Sequence, residues 1–148
     1  MATDIATLNI QKATEIDTND ILSLIDEFYQ ESLKEYDLSF TDYTLTKTVE
    51  NCIKNQIVIV AEDGDSVIGL IAGAVIPSIF DEEEKILQEV MWYIKKDYRK
   101  GSLATDLLNI FEEKGKELGV EHILMVHMGN LYADILDRFY KKHKHHST

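Results

Sequence analysis

The stretch Tyr93–Ala104, YIKKDYRKGSLA, ends an apolar run, turns through Arg99, Lys100, Gly101 and Ser102, and opens the clearest helical pattern in the chain. A strand that feeds through a small-residue turn into a helix is a natural phosphate seat. The turn exposes backbone N–H groups, and the helix N-terminus adds the positive end of a dipole. Before it, Ile86–Ile94 reads as a strand, with Leu87, Glu89, Met91 and Tyr93 on one face and Gln88, Val90, Trp92 and Ile94 on the other. After it, Leu103, Leu107, Phe111 and Leu118 predict the buried stripe of a helix. Leu108 and Ile110 fall at its margins, and Gly119 is its stop. Glu121–Met128 is the next strand. Strand, helix and strand with short joins predict a βαβ unit, hence parallel strands with a right-handed crossover.

Upstream, Leu8–Ala13 reads as a first strand, and Asp17 or Thr18 is placed to cap the helix after it. Ile21, Leu22, Ile25, Phe28, Tyr29 and Leu33 recur at steps of three and four, the period of an amphipathic helix. Tyr36–Tyr43 reads as a loop. A second helix is predicted from about Leu45 to Lys54, burying Leu45, Val49, Cys52 and Ile53. The β-branched run Ile57–Ala61, the turn Asp63-Gly64-Asp65 and the apolar run Val67–Ile76 predict an antiparallel hairpin. Gly69 and Gly73 within it mark a bend or a close approach of another backbone. The acidic connection Ser78–Lys85 is read as solvated. Leu131, Ile135, Leu136 and Phe139 outline a last helix, and Lys141–Thr148 is a basic, His-rich end.

The chain of 148 residues, 45% hydrophobic and 28% charged, suits one domain with one core. Residues 1–143 are read as that domain and 144–148 as a tail. No apolar run reaches the roughly 20 residues of a membrane span, and the first residues lack the marks of a signal peptide. The single Cys52 forms no internal disulfide, which points to a reducing, cytoplasmic setting. The net charge of −12 argues against general nucleic-acid affinity and is compatible with a cationic substrate.

With the order of elements in place, the chain resembles the GNAT family of N-acetyltransferases. That family carries Gln/Arg-x-x-Gly-x-Gly/Ala between its fourth strand and third helix. Arg99-Lys100-Gly101-Ser102-Leu103-Ala104 fills the pattern, with Ser102 in place of the middle Gly. Trp92-Tyr93-Ile94 and Asp97-Tyr98 are similar to the family's strand end and lead-in, with Lys96 or Asp97 where Pro is frequent. The small, acidic chain resembles the minimal members found in bacteria and their phages.

The resemblance implies an α/β fold: a mixed central sheet with antiparallel N-terminal strands, a splay between parallel fourth and fifth strands, and about four flanking helices. It implies acetyl-coenzyme A as donor and an amine as acceptor, with direct attack of the amine on the thioester. The pyrophosphate would sit on the amides of Arg99, Lys100, Gly101, Ser102, Leu103 and Ala104, with Thr105 adding a hydroxyl. Lys95, Lys96, Arg99 and Lys100 form a local basic patch beside it. Backbone groups of Met91, Trp92, Tyr93 and Ile94 would pair with the pantetheine arm, and a backbone N–H of Met91 or Trp92 would stabilise the oxyanion. Glu89 would take the amine proton. Phe139-Tyr140-Lys141-Lys142-His143 is similar to the family's segment carrying a thiolate-protonating tyrosine, which makes Tyr140 the general acid. Asn130 corresponds to an Asn near the mouth of the splay. Phe28, Glu31 and Tyr36, with Phe40 nearby, are the candidate acceptor wall, where aromatic faces and a carboxylate suit a cationic amine.

His127 is read as a structural histidine, and His143, His145 and His146 as a tail without ligand spacing, so no metal is expected. Cys52 is read as a core thiol. The family's fold continues beyond the last helix into further strands, which this sequence lacks. That departure leaves three readings: truncation, a divergent minimal form, or a partner subunit that covers the exposed sheet edge, which predicts a homodimer. With Ser102 it also supports the alternative of a catalytically weak or inactive module that acts by binding a partner protein.

Overall fold

The computed structural model describes residues 8–33, 41–78 and 80–125. The two β-branched runs pair as expected. Ile57–Asp63 (β2) and Ser66–Pro77 (β3) form an antiparallel hairpin through Gly64 and Asp65. Asn9–Lys12 (β1) adds antiparallel to the outer edge of β2, and Lys85–Ile94 (β4) adds antiparallel to β3. His122–Leu124 (β5) then pairs parallel with β4, so the sheet order is β1-β2-β3-β4-β5.

Strand alternation gives the sheet two apolar faces, and helices cover both. On one face Ile57, Ile59, Ile71, Leu87, Trp92 and Ile94 pack against Leu107, Leu108 and Phe111 of Leu103–Glu117 (α3). On the other, Val58, Val60, Leu70, Met91 and Tyr93 pack against two helices. These are Thr18–Phe28 (α1), through Ile21 and Leu24, and Asp42–Asn55 (α2), through Val49 and Ile53. No helix among the described residues is long and apolar enough to cross a membrane.

Several elements differ in detail from the sequence reading. α2 begins at Asp42, before the expected Leu45, because Thr41 caps it by accepting from the Thr44 amide at 3.1 Å. Tyr43 is thus helical rather than loop. Leu118 is 51% exposed instead of completing the α3 stripe. The helix has ended before it. Gly119, at φ 84°, closes a Schellman turn in which the Val120 amide donates to Gly115 O and the Gly119 amide to Lys116 O. Val120 takes the core place that Leu118 was given, and Leu108 is fully buried rather than marginal. The α1 stripe also includes Leu24, fully buried and not anticipated.

The largest correction lies in β4. Gly73 pairs with Glu89 while Ala72 pairs with Met91, so Val90 is a bulged extra residue, 60% exposed. A bulge reverses the phase of alternation. Leu87 and Glu89 therefore face α3, while Met91 and Tyr93 face α1, and the single face expected for all four does not exist. Three α-helices are found among the described residues, one fewer than expected. The predicted last helix through Leu131–Phe139 lies outside them, as do Tyr36, Phe40, His127, Asn130, Tyr140 and the His-rich end.

Candidate functional site

Among the described residues the β4–β5 ladder runs from Ile86↔His122 to Gln88↔Leu124. β4 itself runs on through Glu89–Ile94 toward the turn. β4 leads through the short turn Lys96–Tyr98 to Arg99–Ser102 and into α3. Gly101 takes φ 91°, a conformation that costs other residues roughly 1–2 kcal/mol. No side chain caps the first turn of α3, because the Ser102 hydroxyl donates to Asp106 Oδ2 at 2.9 Å instead. A helix leaves its first amides without intrahelical acceptors. Here those of Leu103, Ala104 and Thr105 point into the bend, a donor set that fits a pyrophosphate. Tyr98 braces the lead-in: its hydroxyl donates to Asp63 Oδ2 at 2.6 Å.

On the α1 side of the same strand end, α1 gives way to a π-helical turn, Tyr29–Leu33. This turn carries Glu31 to Arg99. The guanidinium donates from Nη1 to Glu31 Oε1 at 3.0 Å and from Nη2 to Oε2 at 2.7 Å, and its Nε donates to Ile94 O at 2.7 Å. It also lies over the Tyr93 ring, 5.2 Å from the centroid. Phe28 stacks on that ring at 5.7 Å with a 56° tilt. The Tyr93 hydroxyl makes a long 3.5 Å contact to Glu27 Oε2, and Lys95 Nζ lies 3.6 Å from Glu27 Oε1.

These groups border a cleft of about 430 Å³, lined by Asp26, Glu27, Gln30, Glu31, Tyr93 and Lys96. Three carboxylates and one ammonium line it, with Arg99 paired to Glu31 and Lys95 near Glu27 at its border. The hydrogen bonds from Arg99 hold the Glu31 carboxyl below its ordinary value of 4.5. Burial, reinforced by the Glu31 and Glu27 charges, pushes the Tyr93 hydroxyl up, so it stays protonated and donates.

Of the residues singled out from sequence, Glu31 and Tyr93 line this cleft, with Arg99 bound to Glu31 and Phe28 against the Tyr93 ring. The Ile94 side chain faces α3, and its carbonyl accepts from Arg99 Nε. Met91 lies on the same face as Tyr93; Trp92 faces α3. Gly101–Thr105 form the adjoining turn. Glu89 is 4% exposed and on the α3 face, apart from the cleft carboxylates. Asp26, Glu27 and Gln30 were missed. They occupy the polar face of an amphipathic helix, where only the three-dimensional approach of Tyr93 distinguishes them from solvated surface. Cys52 is half-buried and its thiol is pushed up by burial, as suits a packing thiol rather than a nucleophile. Glu84, Glu121 and His122 bring ligand-type atoms within 4.8 Å of one another, and His122 Nε2 contacts Glu84 Oε1. They lie at the opposite end of β4.

The sequence profile of the Acetyltransferase (GNAT) family matches residues 20–144. Among solved structures, the chain is similar to an aminoglycoside acetyltransferase, meta-AAC0020, from an uncultured soil metagenomic sample, in complex with trehalose. The TM-score is 0.72 at 18% identity, covering 95% of this chain and 89% of that one. It is also similar to a predicted acetyltransferase with acetyl-CoA from Clostridium acetobutylicum, with a TM-score of 0.71 at 20% identity and coverage of 92% and 88%. A third is a ribosomal-protein-alanine N-acetyltransferase from Brucella melitensis biovar Abortus 2308, with a TM-score of 0.65 at 13% identity and coverage of 91% and 89%. No curated protein matches the chain in sequence.

Proposed function

The chain belongs to the GNAT family of acetyltransferases, and we propose that it transfers the acetyl group of acetyl-coenzyme A to a cationic amine received in the cleft beside Tyr93. The donor follows from the family. The observation that carries the rest is the junction at the end of β4: an uncapped α3 turn on one side and a cleft bearing Asp26, Glu27 and Glu31 on the other. When bound, acetyl-coenzyme A supplies an activated acyl group. The amides of Gly101–Thr105, with the exposed Lys100, would hold its pyrophosphate, and backbone groups of Met91–Ile94 its pantetheine arm.

The chain's own groups prepare the acceptor. Asp26 and Glu27 attract an ammonium into the cleft, and the Tyr93 and Phe28 rings border it with apolar and π faces. Attack needs a neutral amine, so a proton must leave first. Glu89 faces α3, so we assign this proton to Glu27, whose contacts to Tyr93 and Lys95 are both long and leave its carboxylate available to an amine or a bridging water. Tyr140, by its likeness to the family's tyrosine, is assigned the proton for the leaving thiolate. An aminoglycoside acetyltransferase is among the similar structures, and an aminoglycoside-like polycationic amine is the acceptor class we propose for this cleft.

The test is thiol release from acetyl-coenzyme A with a panel of mono- and polycationic amines and N-terminal peptides. Polycationic amines should be preferred. Glu27→Gln should lower kcat/KM about 100-fold or more without weakening acetyl-coenzyme A binding, and Tyr140→Phe should slow release with binding retained. Binding of acetyl-coenzyme A without release to any amine would instead favour a binding module.

A further inference from the structure

Arg99 opens the cofactor turn, yet its guanidinium is engaged elsewhere. A guanidinium offers five N–H donors in one plane. Nε is directed to Ile94 O, and Nη1 and Nη2 to the two oxygens of Glu31. The flat face rests on Tyr93. A bidentate fork onto a carboxylate is among the stronger charge-assisted pairs, and it fixes orientation as well as distance. The Arg99 and Glu31 side chains are 16% and 23% exposed, which limits solvent screening of the pair. To turn its fork toward a phosphate, Arg99 would have to give up both of its bonds to Glu31, the carboxylate that also faces the Tyr93 hydroxyl and Lys96. The positions also matter: Glu31 sits in the π turn that forms the cleft wall, and Ile94 ends the strand along which the donor would lie. π-helical turns are rare and concentrate at functional sites.

We infer that Arg99 is a positioning residue for the amine acceptor rather than a phosphate ligand, and that with Glu31 it latches the cleft wall, Tyr29–Leu33, onto the end of β4. The inference rests on reading the cleft as the acceptor site. Through the latch, α1 and β4 hold a fixed spacing across which amine and thioester meet. Arg99 fixes that spacing without touching either reactant. The phosphate side is left to backbone amides and Lys100.

Two variants of the full chain test this. Arg99→Lys keeps the charge and loses the fork; Glu31→Gln keeps the shape and loses the charge. Amide hydrogen exchange by mass spectrometry should show faster exchange in Tyr29–Leu33 in both, by about tenfold. Calorimetry should find the acetyl-coenzyme A Kd within about threefold of wild type, while the amine KM rises about tenfold or more. The double variant should match the single ones instead of summing them. Unchanged exchange at Tyr29–Leu33 in both variants would overturn the latch. A tenfold weaker acetyl-coenzyme A Kd in Arg99→Lys, with Glu31→Gln silent, would make Arg99 a phosphate ligand after all. Failure of the wild type to bind acetyl-coenzyme A would remove the cofactor reading, and the exchange comparison would still decide the latch.

Discussion

Gly73 has no room for a side chain. A Cβ there would stand 2.7 Å from the carbonyl of Gln88, with the Phe111 ring nearer still. One neighbour is strand backbone and the other a fully buried ring, so neither has room to yield. Gly73→Ala is therefore expected to destabilise by ~1–3 kcal/mol, read as a lower denaturation midpoint at unchanged m-value. Glu31 makes a different prediction. Its folded pKa lies below the ordinary 4.5 because Arg99 hydrogen-bonds its charged form. A depressed acid pKa contributes stability that is fully present above the unfolded value and is lost as pH falls through the folded one. Glu31→Gln should thus lose stability at neutral pH, and the difference from wild type should shrink on acidification below about pH 4.5. Urea denaturation of both proteins at neutral and acid pH measures this. A difference that persists at acid pH would mean the variant acts by packing and not by charge.

At the scale of elements, legibility followed the physics of each signal. The β2–β3 hairpin was readable because β-branched runs and Asp63-Gly64-Asp65 report local preferences. The α3 start and the Gly119 stop were readable because helix ends impose specific residues. The β4 bulge was not: Val90–Ile94 is apolar at every position, so a reversal of phase leaves no mark in it, and only pairing with Gly73 and Ala72 reveals that Val90 is extra. The same is true of the π turn at Tyr29–Leu33, which one added residue per turn distinguishes from ordinary helix. The Arg99–Glu31 pair joins residues 68 apart, so no local window contains it. The turn at Arg99–Ala104 is local, and the strand end, turn and helix start read there are those found. Its prediction concerns Gly101, whose φ of 91° aims the amides that follow. Gly101→Ala should cost ~1–2 kcal/mol if the turn keeps its shape, or shift the turn and misalign those amides. Either way the Kd for acetyl-coenzyme A should rise, by up to about tenfold, since a tenfold change is worth ~1.4 kcal/mol. Calorimetry checks it, and an unchanged Kd with unchanged stability would mean that the turn does not depend on this conformation.

Seen as a whole molecule, the proposed function asks the protein to admit two ligands of opposite charge while it carries a net charge of −12. The sheet divides them. The cofactor turn opens at the head of α3, on one face, and the carboxylate cleft opens beside α1, on the other. The global field attracts a cationic amine and repels the polyanionic acetyl-coenzyme A. Among the described residues, Lys96 and Lys100 oppose that repulsion at the turn, while Arg99 is paired with Glu31 and Lys95 lies near Glu27. Salt weakens both long-range effects, as the Debye length falls from ~30 Å at 0.01 M to ~8 Å at 0.15 M. The two ligands should therefore respond in opposite senses. Raising ionic strength over that range should slow amine association and speed acetyl-coenzyme A association, with smaller changes in the dissociation rates, since steering acts on encounter. Trp92, the single tryptophan, lies on β4 and supplies the fluorescence signal for stopped-flow measurement. Slower association of both ligands with salt would show that the lysines at the turn, and not the net charge, govern how the donor arrives.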